Sequence, residues 1–230
     1  MQDAASGLNP DLEPPWEDKE DVLYWSGSST GMHATTENWR TGHRQRLATD
    51  LSLSSSGHRN VTLLELGDYG WTPQSVRFAR LSHLFDVSIR GIVQCDEPAC
   101  AAMSAAFPSS VNDPASKAFE HKFVLDIDGN TWSGRYHRLL RSRSCVFKMT
   151  IFREAQDAHL EPWVHYVPIS MAATELAEMM NFFTANPNGQ RISRDIAEAG
   201  RYAAMNYLRE IDADIITLRI LLELGRVLKD

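Results

Sequence analysis

The sequence predicts an α/β fold: a Rossmann-like parallel sheet with flanking helices, closing in a helical C-terminal tail. Three observations point there. Short apolar runs bounded by Gly, Pro and Asn recur from Val22 to Val167, as buried strands do. Stretches of helical character fall between them, the βαβ alternation of a parallel layer. The last sixty residues carry helical periodicity, with Leu176, Met179, Met180 and Phe183 at i, i+3, i+4 and i+7 and Ile215, Leu218, Leu221 and Leu222 in a similar stripe.

In chain order, residues 1–20 are acidic and broken by proline, which predicts an extended lead-in, with the domain proper over 21–230 and order beginning near Val22. Val22-Leu23-Tyr24-Trp25 predicts a strand, the small residues Ser26 to Gly31 a loop, and Glu37 to Leu47 a polar helix. Ser52 to Arg59 predicts a flexible surface loop. Strands are expected over Val61–Leu66 and Val87–Val93, and a short helix over Glu97–Ala106. Phe123 to Asp128 is β-rich and ends in the turn pair Gly129-Asn130, ahead of a helix over Arg135–Arg141. Val146 to Met149 and Val164 to Val167 are two more strands, the latter closed by Pro168. Asn186-Pro187-Asn188-Gly189 separates a first C-terminal helix from one over about Ile192–Leu208.

Composition excludes several classes. A formal net charge of -7 argues against a nucleic-acid partner, whose affinity needs many Lys and Arg acting together. No run reaches the ~18 to 20 apolar residues of a transmembrane helix. The amino terminus has neither the basic start nor the apolar stretch of a secretory signal. Cys95, Cys100 and Cys145 lack the partners that zinc spacing requires, leaving Cys95 and Cys100 as a local disulfide or as plain thiols. No metal is expected, and His33, His43 and His137 are expected on the surface.

The stretch richest in chemistry is Phe123 to Ser144. A strand, then Gly129-Asn130-Thr131-Trp132-Ser133-Gly134, then a helix, puts free backbone N–H groups at a positive helix start. Two glycines permit close approach of an anion, and Ser133 adds a hydroxyl. Arg135, Arg138, Arg141 and Arg143 concentrate positive charge in an acidic chain, and Arg135 and Arg138 lie about one turn apart. The pattern suits a diphosphate, yet strand, Gly turn and basic helix also occur in α/β proteins with no ligand. It is neither a P-loop nor a dinucleotide fingerprint, because no Gly-Lys-Ser/Thr and no third glycine follow.

The run LDIDGNTWSGRYHRLLRSRSCVFK, followed by PWVHYVPI, resembles the signature of the capsule-associated-protein glycosyltransferases, a family of fungal xylosyltransferases and animal protein O-glucosyltransferases. PPWEDKEDVLYWSGSSTG and GIVQCDEPAC extend the resemblance. It implies the carboxy-terminal half of a GT-B arrangement, two Rossmann-like halves facing a cleft, and a metal-independent transfer of glucose or xylose from a UDP-sugar to a protein or glycan hydroxyl. No cofactor beyond that donor substrate is implied. Gly129, Asn130, Ser133 and Gly134 would form the donor loop and Arg135 would meet the diphosphate. Glu154 would accept from ribose hydroxyls, or stand as a solvated surface residue. His165 would line the cleft, or serve as a hydrogen-bonded structural residue.

Relatives of this kind read Trp-Arg-Gly-Ser where this chain has Trp25-Ser26-Gly27-Ser28, so an expected arginine is a serine. They also carry an amino-terminal half with the acceptor site and the catalytic carboxylate, so no residue here is assigned as the base. The chain is therefore expected to be truncated and inactive alone, a donor-binding half or a non-catalytic interaction module. The resemblance implies the secretory pathway.

Overall fold

The computed structural model describes residues 13–52, 56–108, 114 and 116–229. Its centre is a five-stranded sheet in the order β4-β1-β5-β6-β7. The strands are β1 (Glu20–Ser28), β4 (Phe85–Gly91), β5 (His121–Ile127), β6 (Cys145–Met149) and β7 (Val167–Pro168). Every neighbouring pair is parallel. A hairpin, β2 (Asn60–Gly67) with β3 (Gly70–Arg77), stands apart from it. The helices are α1 (His43–Asp50), α2 (Glu97–Ala106), α3 (Tyr136–Arg141), α4 (Leu176–Ala185), α5 (Pro187–Tyr207) and α6 (Glu210–Val227). This is the Rossmann-like parallel layer with flanking helices that the sequence predicts.

Strand alternation divides the core. Leu23, Trp25, Phe123, Leu125 and Phe147 turn to one face, where α1, α4 and the first half of α5 cover them. Tyr24, Val124 and Val146 turn to the other, against Tyr136, Leu139 and Leu140 of α3 and Ala203 and Ala204 of α5. Two glycines permit the close packing of α5: an added Cβ would lie 2.0 Å from the Phe182 carbonyl oxygen at Gly189 and 2.3 Å from the His165 carbonyl oxygen at Gly200. Helix α6 buries none of its side chains among the described residues.

Several elements differ from expectation for identifiable reasons. Structure is fixed ahead of Val22: β1 begins at Glu20, the Glu13 carboxylate is buried against Lys19 Nζ (2.7 Å) and Trp16 packs edge-on to Phe123. Residues 1–12 of the expected lead-in lie outside the described residues, as do 53–55 of the expected loop. The polar helix starts only at His43, after a single 3-10 turn over Trp39–Thr41. The expected strand over Val164–Val167 shrinks to Val167–Pro168, because Val164 and His165 donate to the Glu161 carbonyl in a turn where Trp163 has φ +68°. Pro187-Asn188-Gly189 forms the first turn of α5 rather than a linker, its amides held by the Asn186 side chain. Cys95 and Cys100 form a disulfide, with 5.4 Å between their Cα atoms.

Candidate functional site

The chain order of the strands creates a crevice. From β1 the chain moves to β4 on one side, then crosses to β5 on the other and proceeds outward to β6 and β7. The order therefore reverses between β1 and β5, and open parallel sheets bind ligands outside the carboxyl ends of the strands at such a point. The two strands part there. Their paired register ends at Tyr24↔Val124, whereas β1 keeps pairing with β4 to Ser28↔Gly91 and β5 with β6 to Ile127↔Met149.

Two arginines bridge this fork. From α1, Arg44 reaches in from the side, donating Nε to Asp128 O (2.8 Å), Nη1 to Ser28 O (3.0 Å) and Thr30 Oγ1 (2.8 Å), and Nη2 to Ile127 O (2.9 Å). It thereby supplies donors to carbonyls of both parted strands. From the start of α3, Arg135 donates Nη1 to Ser26 O at 2.7 Å. Both guanidiniums lie near the Trp25 ring, 5.3 Å and 5.9 Å from its centroid. Burial, and then the nearby Arg135 charge, push Arg44 down to about 10, so it remains a cation at neutral pH. Trp25 lies along β1 over Gly27, where an added Cβ would meet Trp25 Cζ2 at 2.6 Å, and its buried indole Nε1 has no hydrogen-bond partner.

The loop after β5 is tied on several sides. Asn130 Oδ1 accepts from Gly31 N (3.0 Å), joining it to the loop after β1. The Gly129 amide donates to Thr131 O (3.0 Å), so this amide is not free for an anion as the sequence suggested. Tyr136 N donates to Ser133 O, while the amides of Gly134 and Arg135 have no backbone acceptor among the described residues. Gly134 is exposed and Arg135 half-buried. A cavity of about 270 Å³ opens beside this helix start, lined by Trp25, Ser26, Ala118, Arg135, Arg138 and Leu139 among others.

Beneath the loop runs a buried polar chain. Asp126 and Lys148 are cross-strand neighbours, with Nζ 2.7 Å from Oδ2. The Ser133 hydroxyl donates to the other oxygen of Asp126, and Lys148 Nζ lies 3.5 Å from Glu154 Oε1. With Asp126 fully buried and Lys148 nearly so, each charge depends on its partner. Lys148 Nζ also sits 4.0 Å from the Tyr136 ring centroid, and burial raises that phenol far above its usual range. Asp128 takes the Ile151 amide on Oδ2 (2.9 Å), and its carbonyl oxygen receives both Arg44 and a ring nitrogen of His43 (2.8 Å).

The structure thus gathers Gly129, Asn130, Ser133, Gly134 and Arg135 at the fork and links Glu154 to them through Lys148. Glu154 is half-buried and begins a short 3-10 turn. His165 makes its contacts elsewhere: Nδ1 accepts from Glu161 N (2.8 Å), which fits its structural reading, and burial lowers its pKa. Sequence reasoning missed Arg44, His43 and Lys148. A signal for Arg44 was present, because it shares an i, i+3, i+4, i+7 stripe with the buried Leu47, Ala48 and Leu51.

Residues 8–212 match the family model described as glycosyl transferase family 90. The chain belongs to that family. Among curated members, it is 31% identical to an O-glucosyltransferase rumi homolog of Aedes aegypti over 113 residues, 48% of this chain and 27% of that protein. Human protein O-glucosyltransferase 1 is 27% identical over 110 residues, 47% of this chain and 27% of its own length. Human protein O-glucosyltransferase 3 is 30% identical over 98 residues, covering 39% and 19%. The chain thus aligns with about a quarter or less of the length of these family 90 relatives. No described helix is long and apolar enough to cross a membrane.

Proposed function

We propose that this family 90 chain holds the diphosphate of a UDP-sugar at the β1–β5 fork, for transfer of glucose or xylose to a hydroxyl of a protein or glycan acceptor. The observation that carries the reading is Arg135, anchored through one nitrogen to Ser26 O at the fork and bordering the cavity with Arg138. As a glycosidic bond breaks, negative charge gathers on the departing UDP, and a preorganised guanidinium with helix-start amides stabilises it. Asp126 and Asp128 are already engaged by Lys148, Ser133 and the Ile151 amide, which favours countercharge from arginine over a metal held by these carboxylates.

The test is calorimetry with UDP. The parent chain is expected to bind in the micromolar range, with or without a chelator. Loss of a charge-assisted contact worth ~1.5 to 3 kcal/mol weakens binding roughly 10- to 100-fold in Arg135→Ala, with Arg135→Lys between. No heat at millimolar UDP refutes the reading.

A second reading, a nucleotide-binding or interaction module without turnover, is favoured by Ser26, which stands where the family pattern carries an arginine and whose carbonyl takes up part of Arg135. The engagement of Asp126 by both Lys148 and Ser133 also favours it, since that carboxylate is not available as a base. UDP binding without sugar transfer by the isolated chain supports this module, and measurable transfer excludes it.

A further inference from the structure

The β2–β3 hairpin lies outside the fork and takes no part in the proposed reaction. Along β2 the pleat turns Val61 and Leu63 toward the core and leaves Asn60, Thr62 and Leu64 exposed. Asn60-Val61-Thr62 is an Asn-x-Thr triplet with no proline at its centre, and no other Asn-x-Ser/Thr triplet occurs in the 230 residues. Asn60 is the first residue of its strand, its backbone paired with Arg77. Its side chain can carry a bulky group without disturbing the core.

An independent observation bears on the compartment. Cys95, on the stretch after β4, is joined as a disulfide to Cys100 in the first turn of α2, and such bonds form and persist in oxidising compartments. In eukaryotes that same lumen is where asparagine-linked glycans are attached, so an exposed acceptor triplet and a disulfide in one chain point to one environment. We propose that Asn60 is an N-glycosylation site, modified on a lipid-diphosphate-linked oligosaccharide as the chain enters that lumen. In the step, the Asn60 side-chain amide nitrogen attacks the anomeric carbon of the donor. A C–N bond forms, the C–O bond to the diphosphate breaks, the nitrogen loses one proton, and the lipid diphosphate departs. Nothing is oxidised or reduced, and the host's oligosaccharide-transferring enzyme supplies the catalyst.

Thr62 lies two residues on and shares the exposed face with Asn60, so the modified triplet remains on the solvent side after folding. Leu64 and Leu66 follow on the same exposed strand face, apolar surface that a hydrated glycan helps keep in solution.

The test expresses the full chain behind a cleavable signal sequence in a eukaryotic secretory host, followed by denaturation and peptide N-glycosidase treatment. The parent is expected to show one glycosidase-sensitive mobility step. Asn60→Gln and Thr62→Ala are expected to lack it, and Thr62→Ser to retain it. Attachment precedes folding, so the result does not depend on how well a variant folds. Mass spectrometry after thiol blocking is expected to find the Cys95 and Cys100 peptides linked. Absence of the step in the parent, its survival in Asn60→Gln, or free thiols at both cysteines overturns the proposal. None of these readouts depends on nucleotide binding.

Discussion

Replacing Arg44 with alanine tests whether the fork is held open by an arginine bridge rather than by the strands themselves. Arg44 donates four hydrogen bonds, three to the main-chain carbonyls of Ser28, Ile127 and Asp128 and one to Thr30, and is almost wholly buried. Removing it takes the arginine donors from the Ser28 and Ile127 carbonyls and from Thr30 at a point where β1 and β5 no longer pair, while the Asp128 carbonyl keeps only the His43 ring nitrogen. A buried polar group left unsatisfied costs about 1 to 3 kcal/mol. Water entering the vacated space satisfies part of that loss, and relief from burying a cation beside Arg135 offsets more. The expected net destabilisation is therefore about 2 to 4 kcal/mol. At roughly 2 to 4 °C per kcal/mol for a domain of this size, the thermal midpoint falls by ~10 °C. Arg44→Lys retains the charge but not the planar fork that spans three carbonyls, and falls between the two. The assay is thermal unfolding followed by circular dichroism, with UDP affinity measured on the folded fraction, where weaker binding is expected because the loops lose their common anchor. A midpoint in Arg44→Ala within about 2 °C of the parent refutes the bridge.

Two further outcomes follow from burial. His121 is buried, its ring stacked 4.8 Å from Tyr24, and neither ring nitrogen has a hydrogen bond. Burial lowers its pKa against the opposing pull of Glu20, Asp86 and Glu120, with Lys117 adding to the lowering. The unfolded chain therefore binds the proton first as pH falls below about 6.5, and stability declines from there down to the depressed folded pKa. Urea unfolding across that window is expected to show this slope in the parent and a shallower one in His121→Phe, which keeps the stack; equal slopes refute the assignment. Deleting residues 210–230 removes α6, none of whose side chains is buried, so the midpoint is expected to move by ~2 °C or less while concentration-dependent association decreases. A fall well beyond ~5 °C shows that α6 contributes to the core.

The sheet was legible because its strands are buried on both faces and so read as continuous apolar runs, as in Phe123–Ile127 and Cys145–Met149. Helix α2 matched residue for residue, its N-terminal Pro98 and apolar face being local signals. The hairpin was half seen: β2 carries an apolar run, but β3 contains Pro73 and is almost wholly exposed, so it lacks the burial pattern that marks a strand. The end of the chain misled in a different way, since the apolar stripe of α6 promises burial and the described fold provides none. At the site, Gly129 to Arg135 stood out because glycines and arginines cluster in sequence. Arg44 was hidden because it meets that loop across 84 residues, and an arginine on a helix reads by default as solvated. The Asp126–Lys148 pair was hidden for a related reason. Each is ordinary alone, and only parallel register makes them neighbours.

The fork also contains an electrostatic tension that bears on what it holds. Arg44 and Arg135 flank the same indole, and Arg135 contributes to lowering the Arg44 pKa, as it does that of Arg138. Asp126 and Asp128 pull the Arg44 pKa the other way, yet burial and Arg135 outweigh them, and the Asp126 charge is shared with Lys148. Asp128 alone does not balance them. A chain with a net charge of -7 has surplus acidic residues, yet among the described residues none forms an ion pair with Arg44 or Arg135. Like charges crowded at a crevice destabilise the fold slightly and are relieved when an anion enters, so binding gains what the fold gave up. A diphosphate bearing two or more negative charges would relieve both arginines at once, whereas a neutral sugar would relieve neither. The proposed site should therefore discriminate steeply by charge, with UDP bound well above uridine and with affinity that falls as salt screens the half-exposed Arg135. Equal affinity for UDP and uridine would mean that the arginines serve only to tie strands together.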